Sequence, residues 1–177
     1  MDMPRVLYLI ATAAGPTQFV DRGVRVAQEA GWDVCLVFSP IAATWWWGRM
    51  DELEELTGHP VRHRYTEPDE DAPDVPPADA MLVAPLTTTS LCRWGAGITD
   101  SLSIGLPAEA VHLGTPVVAM PYWSTAIGTQ PAVPKAVATL REQGVRVLLG
   151  DGGFEPHHPR ADEPAAFPWE LAVEALE

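Results

Sequence analysis

The sequence predicts an α/β fold: one domain in which helices cover both faces of a parallel sheet. Short apolar runs alternate with segments whose apolar residues recur at helical spacing, which is the pattern of such sheets. The chain has 177 residues, close to the size of one domain, and 47% of them are apolar, which excludes a disordered protein. We therefore expect one domain over residues 1–177, with residues 151–177 packing on it as a C-terminal extension.

The chain opens with a predicted strand and a predicted helix. Residues 6–11 are a short apolar run, as in a buried strand. Pro16 suits the first turn of a helix, because proline has no N–H to leave unpaired there. Apolar residues then recur at helical spacing from Phe19 to Ala30, and Gly31 is typical of the position just beyond a helix.

A second strand and a second helix follow directly. Residues 32–38 form another apolar run, which ends at Ser39-Pro40. Residues 45–56 predict a single helix that stops at Gly58. Residues 61–65 predict a third, shorter strand.

The second half continues the alternation after an acidic, proline-rich connection at residues 67–77. This connection is solvated and is no domain linker, because too little chain lies on either side of it for two cores. Strands are predicted at 80–84, 116–120 and 145–149, and helices at 91–96, 102–113, 134–143 and 168–176.

Four loops of the predicted fold lie where a ligand would bind. Ligands of open parallel sheets bind outside the carboxyl ends of the strands, which selects loops 12–17, 39–43, 85–90 and 121–130. These loops are rich in hydroxyl side chains: Thr12, Thr17, Ser39, Thr87, Thr88, Thr89, Ser90, Ser124, Thr125 and Thr129. For any one loop taken alone, a helix N-cap is the better explanation. Together they favour a ligand that bears a phosphate, because hydroxyls and helix N-termini bind anions.

Motifs for several other ligands and reactions are missing from the sequence. There is no GxGxxG, GxxxxGK[ST] or GxSxG, and Lys135 is the single lysine. His59 and His63, like the pair His157-His158, lack the cysteine or carboxylate framework of a metal site. The sequence therefore predicts no dinucleotide fingerprint, no P-loop, no Ser-His-Asp triad and no metal centre.

The charge of the chain restricts its partners. At a net charge of −13 the protein repels phosphate backbones and anionic lipid, so nucleic acid and membrane surfaces are not expected to bind. The two cysteines, Cys35 and Cys92, lie too far apart for a disulfide framework. The first apolar segment is too short to span a bilayer and lacks the basic flank of a signal peptide. We expect a cytoplasmic protein.

Two aromatic groups stand near the predicted ligand edge. Trp45, Trp46 and Trp47 follow the second strand, and three consecutive helical residues cannot all face one core. At least one should therefore be exposed, in a ligand site or a subunit contact; alternatively two are core residues and the third has no role. Tyr122 and Trp123 lie on the fourth loop and could stack on an aromatic ligand.

Three segments carry a resemblance to a known family. Residues 79–90, DAMLVAPLTTTS, and 94–102, WGAGITDSL, resemble the "D-hydrophobic-APATANT…WAAGIADNL" block of the homo-oligomeric flavin-containing cysteine decarboxylases, which include phosphopantothenoylcysteine decarboxylase. Residues 121–131 have the frame of that family's P-x-M-N-x-x-M-W-x-x-P, and residues 56–61 resemble its L-S-G-x-P-V. The resemblance runs from about Val6 to Leu149 and implies a Rossmann-like three-layer sandwich of the flavodoxin type.

The resemblance also implies a cofactor and an assembly. The cofactor is FMN, whose phosphate and ribityl chain would be held by Thr12, Ala13, Ser39, Pro85, Thr87, Thr88, Thr89 and Ser90, with Asp100 matching the family's aspartate. The substrate, a small molecule or a peptide, would meet Tyr122, Trp123, Ser124 and Ile127. The family buries its flavin between subunits of a homotrimer, sometimes within a dodecamer, so a homo-oligomer is expected.

The departures from the family motifs predict a change of chemistry. The family's catalytic histidine should fall within residues 68–78, which contain none. Thr89 and Ser124 stand where the family has asparagines, and Trp123 and Ile127 where it has the two methionines of its substrate clamp. No catalytic residue is assigned, and the candidates are His59, His63 and Ser124.

Three functional hypotheses remain open on the sequence. The first is an FMN-dependent oxidoreductase, related to the cysteine decarboxylases, with an altered substrate. The second is a non-catalytic flavin-binding subunit that regulates or scaffolds a partner, since loss of the histidine is what a retired enzyme would show. The third is an acidic globular protein that binds no flavin.

Overall fold

The computed structural model describes residues 4–177 and contains a five-stranded parallel sheet. Its strands are β1 (Arg5–Ala11), β2 (Trp32–Phe38), β3 (Ala80–Leu86), β4 (Val117–Pro121) and β5 (Arg146–Val147). The strand order is β2-β1-β3-β4-β5, and every neighbouring pair is parallel. The predicted fold class, a Rossmann-like α/β domain, is confirmed.

Helices connect the strands and cover both faces of the sheet. They are α1 (Val20–Glu29), α2 (Pro40–Trp46), α3 (Met50–Thr57), α4 (Thr88–Gly95), α5 (Leu102–His112), α6 (Thr125–Gly128), α7 (Ala132–Glu142) and α8 (Trp169–Glu174). Two short 3₁₀ helices lie at Gly15–Phe19 and Pro164–Ala166.

The alternation of side chains along the strands produces two cores. In β1, Leu7 and Leu9 face a core that also contains residues of α1, α2, α3 and α8. Tyr8 and Ile10 face the other core, against α4, α5 and α7. Because the side chains of β1 are buried on both faces, the strand reads as a continuous apolar run rather than an alternating one.

The strand order creates a crevice at the centre of one sheet edge. From β1 the chain crosses to β2 on one side, and the sheet continues through β3 on the other side. The loops after β1 and β3 therefore leave the sheet in different directions and open a space between them, which is where such folds bind ligands.

Two predicted elements near β2 are wrong. Residues 45–56 do not form one helix: α2 starts earlier, at Pro40, and a turn at residues 47–49 separates it from α3. Ser39 and Pro40 explain the early start, since serine is a strong N-cap and proline favours the first helical turn. Residues 61–65 are not a strand but a single bridge between Arg62 and Val37.

Helix α6 is a further element that the sequence pattern does not predict, because its four residues are too few for a helical period. Other predicted boundaries shift by a few residues. The helix predicted at 91–96 begins at Thr88, because Thr87 caps it.

The segment after β5 returns across the sheet edge. Residue pairs Leu149–Phe154 and Ser124–His157 form isolated bridges. A Cβ on Gly15 would lie 2.7 Å from Cγ of Pro164, so this segment packs tightly on the loop after β1. Helix α8 then packs against α1, β3 and β4.

None of the helices described at residues 4–177 is both long enough and apolar enough to cross a membrane.

Candidate functional site

A cavity of about 460 Å³ lies at the carboxyl ends of β1, β2 and β3. Its lining comes from the loops after these three strands and from α2, α4 and α5. The lining residues are Ala13, Ser39, Pro40, Ile41, Trp45, Thr87, Thr89, Ser90, Arg93, Asp100, Ser101 and Ile104. Its volume is in the range of small-molecule sites.

Two helices begin at the cavity wall. The hydroxyl of Ser39 accepts a hydrogen bond from the N–H of Ala42 at 3.4 Å and caps α2. The hydroxyl of Thr87 accepts one from the N–H of Ser90 at 3.2 Å and caps α4. The N-cap interpretation therefore holds for both residues. It is compatible with anion binding, because each hydroxyl keeps its own proton and the first turn of α4 keeps unpaired N–H groups. The first turn of α2 offers fewer, since Pro40 has no N–H and the N–H of Ala42 is bonded to Ser39.

Thr12 connects the loop after β1 to the loop after β3. Its buried hydroxyl donates to the carbonyl of Pro85 at 2.8 Å and accepts from the N–H of Thr87 at 2.9 Å. The N–H of Thr12 also donates to the Pro85 carbonyl, at 3.1 Å. Because the hydroxyl proton of Thr12 is bonded to the carbonyl of Pro85, it is not available to a ligand. The bond from the N–H of Thr87 holds the N-cap of α4 in position.

The outer part of the cavity is apolar on one side and charged on the other. Ile41 and Trp45 are 65% and 47% exposed, and Ile104 is buried beneath the cavity. Opposite them, Nη1 of Arg93 donates to Oδ2 of Asp100 at 2.8 Å, and both side chains are about half exposed.

The structure brings together most, but not all, of the residues that were expected to bind the cofactor. Six of them line the cavity: Ala13, Ser39, Thr87, Thr89, Ser90 and Asp100. Thr12, Pro85 and Thr88 lie behind or beside its wall. Sequence reasoning missed Ile41 although it lies in a selected loop, because only hydroxyl side chains were considered there. It missed Arg93, Ser101 and Ile104 because they lie outside the selected loops, in helices or at a helix start.

The residues that were expected to meet the substrate lie elsewhere in the same chain. Tyr122 packs against the rings of Phe154, His157 and Phe167. Trp123 is buried beside Phe154, and Ser124 caps α6. Within one chain, none of Tyr122, Trp123, Ser124 and Ile127 lines the cavity described above.

The three tryptophans have three different environments. Trp46 is buried, and its Nε1–H donates to the carbonyl of Thr17 at 2.9 Å. Trp45 lines the cavity, whereas Trp47 is 69% exposed and contacts the ring of His63 edge-on. The prediction that at least one of them is exposed is confirmed.

The two candidate histidines do not line the cavity. Nε2 of His59 lies 2.8 Å from Oδ1 of Asp33, near the amino end of β2, at the opposite edge of the sheet. His63 lies against Trp47. Across residues 4–177, no group of three or more histidine, cysteine or acidic side chains is arranged to hold a metal ion.

The buried thiol of Cys35 is strongly shifted towards its neutral form. Burial in the second core and, to a smaller extent, the nearby Asp33 raise the pKa of Cys35 to about 11, although Arg62 opposes them. The cysteine is therefore protonated and unreactive at neutral pH, and it takes no part in the cavity.

One family model covers most of the chain. The family model described as Flavoprotein matches residues 8–167, which is most of the chain. The chain belongs to the flavoprotein family. This confirms the family resemblance, which rested mainly on residues 79–102, and it supports the expectation of a flavin cofactor.

Several solved structures share the fold. An FMN-dependent cysteine decarboxylase, TvaF of thioviridamide biosynthesis, matches with a TM-score of 0.69 and 21% identity over 81% of this chain and 88% of that one. A PPC decarboxylase mutant complexed with pantothenoylaminoethenethiol matches with a TM-score of 0.68 and 17% identity over 98% and 97%. AnUbiX (PadA1), in complex with FMN and dimethylallyl pyrophosphate, matches with a TM-score of 0.65 and 15% identity over 82% and 77%.

At these identities the similarity shows a common fold. No sequence among curated proteins is similar enough to count as a match.

Proposed function

We propose that this protein binds FMN in the cavity at the carboxyl ends of β1, β2 and β3 and acts as a redox enzyme on a small molecule or peptide. The observation that carries the proposal is the convergence of two capped helix starts, at Ser39 and Thr87, on one cavity. Family membership and the FMN named for structures with the same fold support it.

The donor set of the cavity fits FMN. Phosphate is an anion, and it is stabilised by unpaired N–H groups and the positive end of a helix dipole, without any lysine. Ser39, Thr87 and Thr89 would donate hydroxyl protons to the phosphate and the ribityl chain. Ile41, Trp45 and Ile104 supply the apolar surface that an aromatic ring system requires.

Bound FMN would supply two-electron redox chemistry, and the protein would orient the substrate and exclude water. Trp45 lies at the rim, where its indole can cover the cavity mouth. Within residues 4–177 no histidine lines the cavity, so we assign no histidine as a general base. This supports the proposal of a substrate unlike that of an enzyme with a catalytic histidine within residues 68–78.

A second candidate function is a flavin-binding subunit without catalytic activity. It is favoured by the same observation, that the cavity of one chain holds no histidine. Anaerobic addition of thiols separates the two functions, because a redox enzyme should reduce its bound flavin much faster than the same thiols reduce free FMN.

For assembly and location we propose a cytoplasmic homo-oligomer, either a trimer or a dodecamer. Ile41 and Trp45 are exposed at the cavity mouth, and a neighbouring chain would cover them. Cys35 and Cys92 are free thiols, as expected in a reducing compartment.

The first prediction tests the phosphate site with the double variant Ser39→Asp, Thr87→Asp. Aspartate is as good an N-cap as serine or threonine, so α2 and α4 are expected to remain folded. The two carboxylates would repel the phosphate at close range, and FMN binding should be lost. Binding is measured by absorbance and by quenching of flavin fluorescence, and folding by circular dichroism.

Thr139→Asp on α7 is the matched control, since its hydroxyl caps no helix and only donates to the carbonyl of Lys135. This variant should bind FMN like the wild type. Full FMN binding by the double variant would place the phosphate elsewhere, and an absence of FMN binding by the wild type would overturn the proposed cofactor.

A further inference from the structure

The cavity contains one ion pair, between Arg93 and Asp100, that the proposed phosphate site does not use. Arg93 is the one basic residue of the cavity lining, and Asp100 the one acidic residue. Their hydrogen bond joins the last turn of α4 to the start of α5 at 2.8 Å. An ordinary exposed ion pair contributes little to stability, so stability alone gives no reason for its place at the cavity.

The position of Arg93 on α4 places its side chain in the cavity wall. It follows Thr89 by four residues and Ser90 by three, and residues at these spacings share one helix face. All three line the cavity. The guanidinium thus stands on the same wall as the N-terminal turn of α4, where the phosphate is proposed to bind.

The charge of the whole chain makes a local cation favourable for binding a dianion. The protein carries a net charge of −13, and its field disfavours any anionic ligand. Unpaired N–H groups supply only partial charges. A guanidinium supplies a full charge and several donors, and in the described part of the chain only its contact with Asp100 occupies it.

We infer that Arg93 is the residue that recognises the anionic group of the cofactor, and that Asp100 is its counter-ion rather than a cofactor ligand. The inference rests on the proposed function, because it concerns the same cavity. It assigns Arg93 a role that its exposed position in the last turn of α4 does not by itself suggest.

The test compares two flavins that differ in the phosphate. FMN and riboflavin are titrated separately into the wild type, Arg93→Gln, Arg93→Lys and the double variant Arg93→Gln, Asp100→Asn. We expect Arg93→Gln to weaken FMN binding by about tenfold or more, the effect of losing a charge-assisted hydrogen bond. Riboflavin binding should be unchanged, and Arg93→Lys should retain part of the preference for FMN.

The double variant separates a direct contact from a change in net charge. The double variant has the same net charge as the wild type, because it loses one positive and one negative side chain. FMN binding should therefore stay weak if the guanidinium of Arg93 itself contacts the phosphate. Wild-type affinity in the double variant, or an equal loss for riboflavin and FMN in Arg93→Gln, would overturn the inference. If the wild type binds neither flavin, the proposed function fails and not this inference alone.

Discussion

At the scale of single residues, the hydroxyl of Thr12 is the most constrained polar group near the cavity. Thr12→Val would keep the shape of the side chain while leaving the N–H of Thr87 without its acceptor. An unpaired buried donor costs about 1–3 kcal/mol, so we expect Thr12→Val to lower the free energy of unfolding by about that amount. Thr12→Ser keeps the hydroxyl and should lie much closer to the wild type.

Urea denaturation of the three proteins measures this difference. The same variants report on the α4 N-cap, because displacement of Thr87 should weaken FMN binding in Thr12→Val more than in Thr12→Ser. Equal stability of the valine and serine variants would show that the connection between the two loops contributes nothing.

Residue roles were only partly predictable from the sequence. The rule that ligands bind at the carboxyl ends of strands selected the loops that contain Ser39 and Thr87. It could not show that the hydroxyl of Thr12 donates to the carbonyl of Pro85, because that bond joins residues 73 positions apart. Arg93 could have been found by its spacing of four residues from Thr89.

At the scale of elements, the break between α2 and α3 decides where the tryptophans point. Sequence periodicity suggested one continuous helix, because Met50, Leu53 and Leu56 continue the spacing of Trp46. A turn at Gly48 separates the helices and turns Trp47 away from the core that buries Trp46. The turn at residues 47–49 therefore interrupts the helix although the apolar residues keep their helical spacing across it.

The exposed tryptophans lead to a prediction about assembly. Trp45→Glu and Trp47→Glu should each shift the protein to smaller species, because large apolar side chains are seldom left exposed unless a partner covers them. Trp46→Glu is uninformative, since a buried charge would unfold the chain.

Sedimentation velocity measures the change in assembly. Leu113→Glu is the control, because Leu113 is 76% exposed but lies at the C-terminal end of α5 and outside the cavity lining. If Trp45→Glu and Trp47→Glu both sediment like the wild type, α2 is not at a subunit interface.

At the scale of the whole molecule, the fold was predictable and the chemistry was less so. Alternating apolar strands and amphipathic helices were sufficient for a parallel sheet with two covered faces. The sequence could not show that Tyr122 and Trp123 pack under Phe154 instead of lining the cavity, since this depends on how residues 150–167 fold back.

The missing histidine gives the final prediction. Decarboxylation of cysteine-ended peptides and of phosphopantothenoylcysteine should be undetectable or very slow. A positioned general base contributes about 10²–10⁴-fold, and each oriented donor at a developing charge about 10²–10³-fold. Thiols should still bleach the bound flavin, because that step does not require the residues that handle the carboxylate.

Mass spectrometry of the products measures CO₂ loss, and anaerobic absorbance follows the flavin. Decarboxylation at an ordinary enzymatic rate would contradict the altered chemistry. It would mean that a neighbouring subunit supplies the base, because neither His59 nor His63 of the same chain lines the cavity.

The contact between Pro164 and Gly15 joins parts of the chain that are synthesised far apart in time. The loop after β1 emerges from the ribosome well before the segment that packs on it. A nascent chain that already contains all five strands still lacks Pro164, which packs against Gly15 in this loop. Ala13 of the same loop lines the cavity. The loop after β1 therefore reaches its final packing only once residues 164–166 have been synthesised, long after the strand that precedes it.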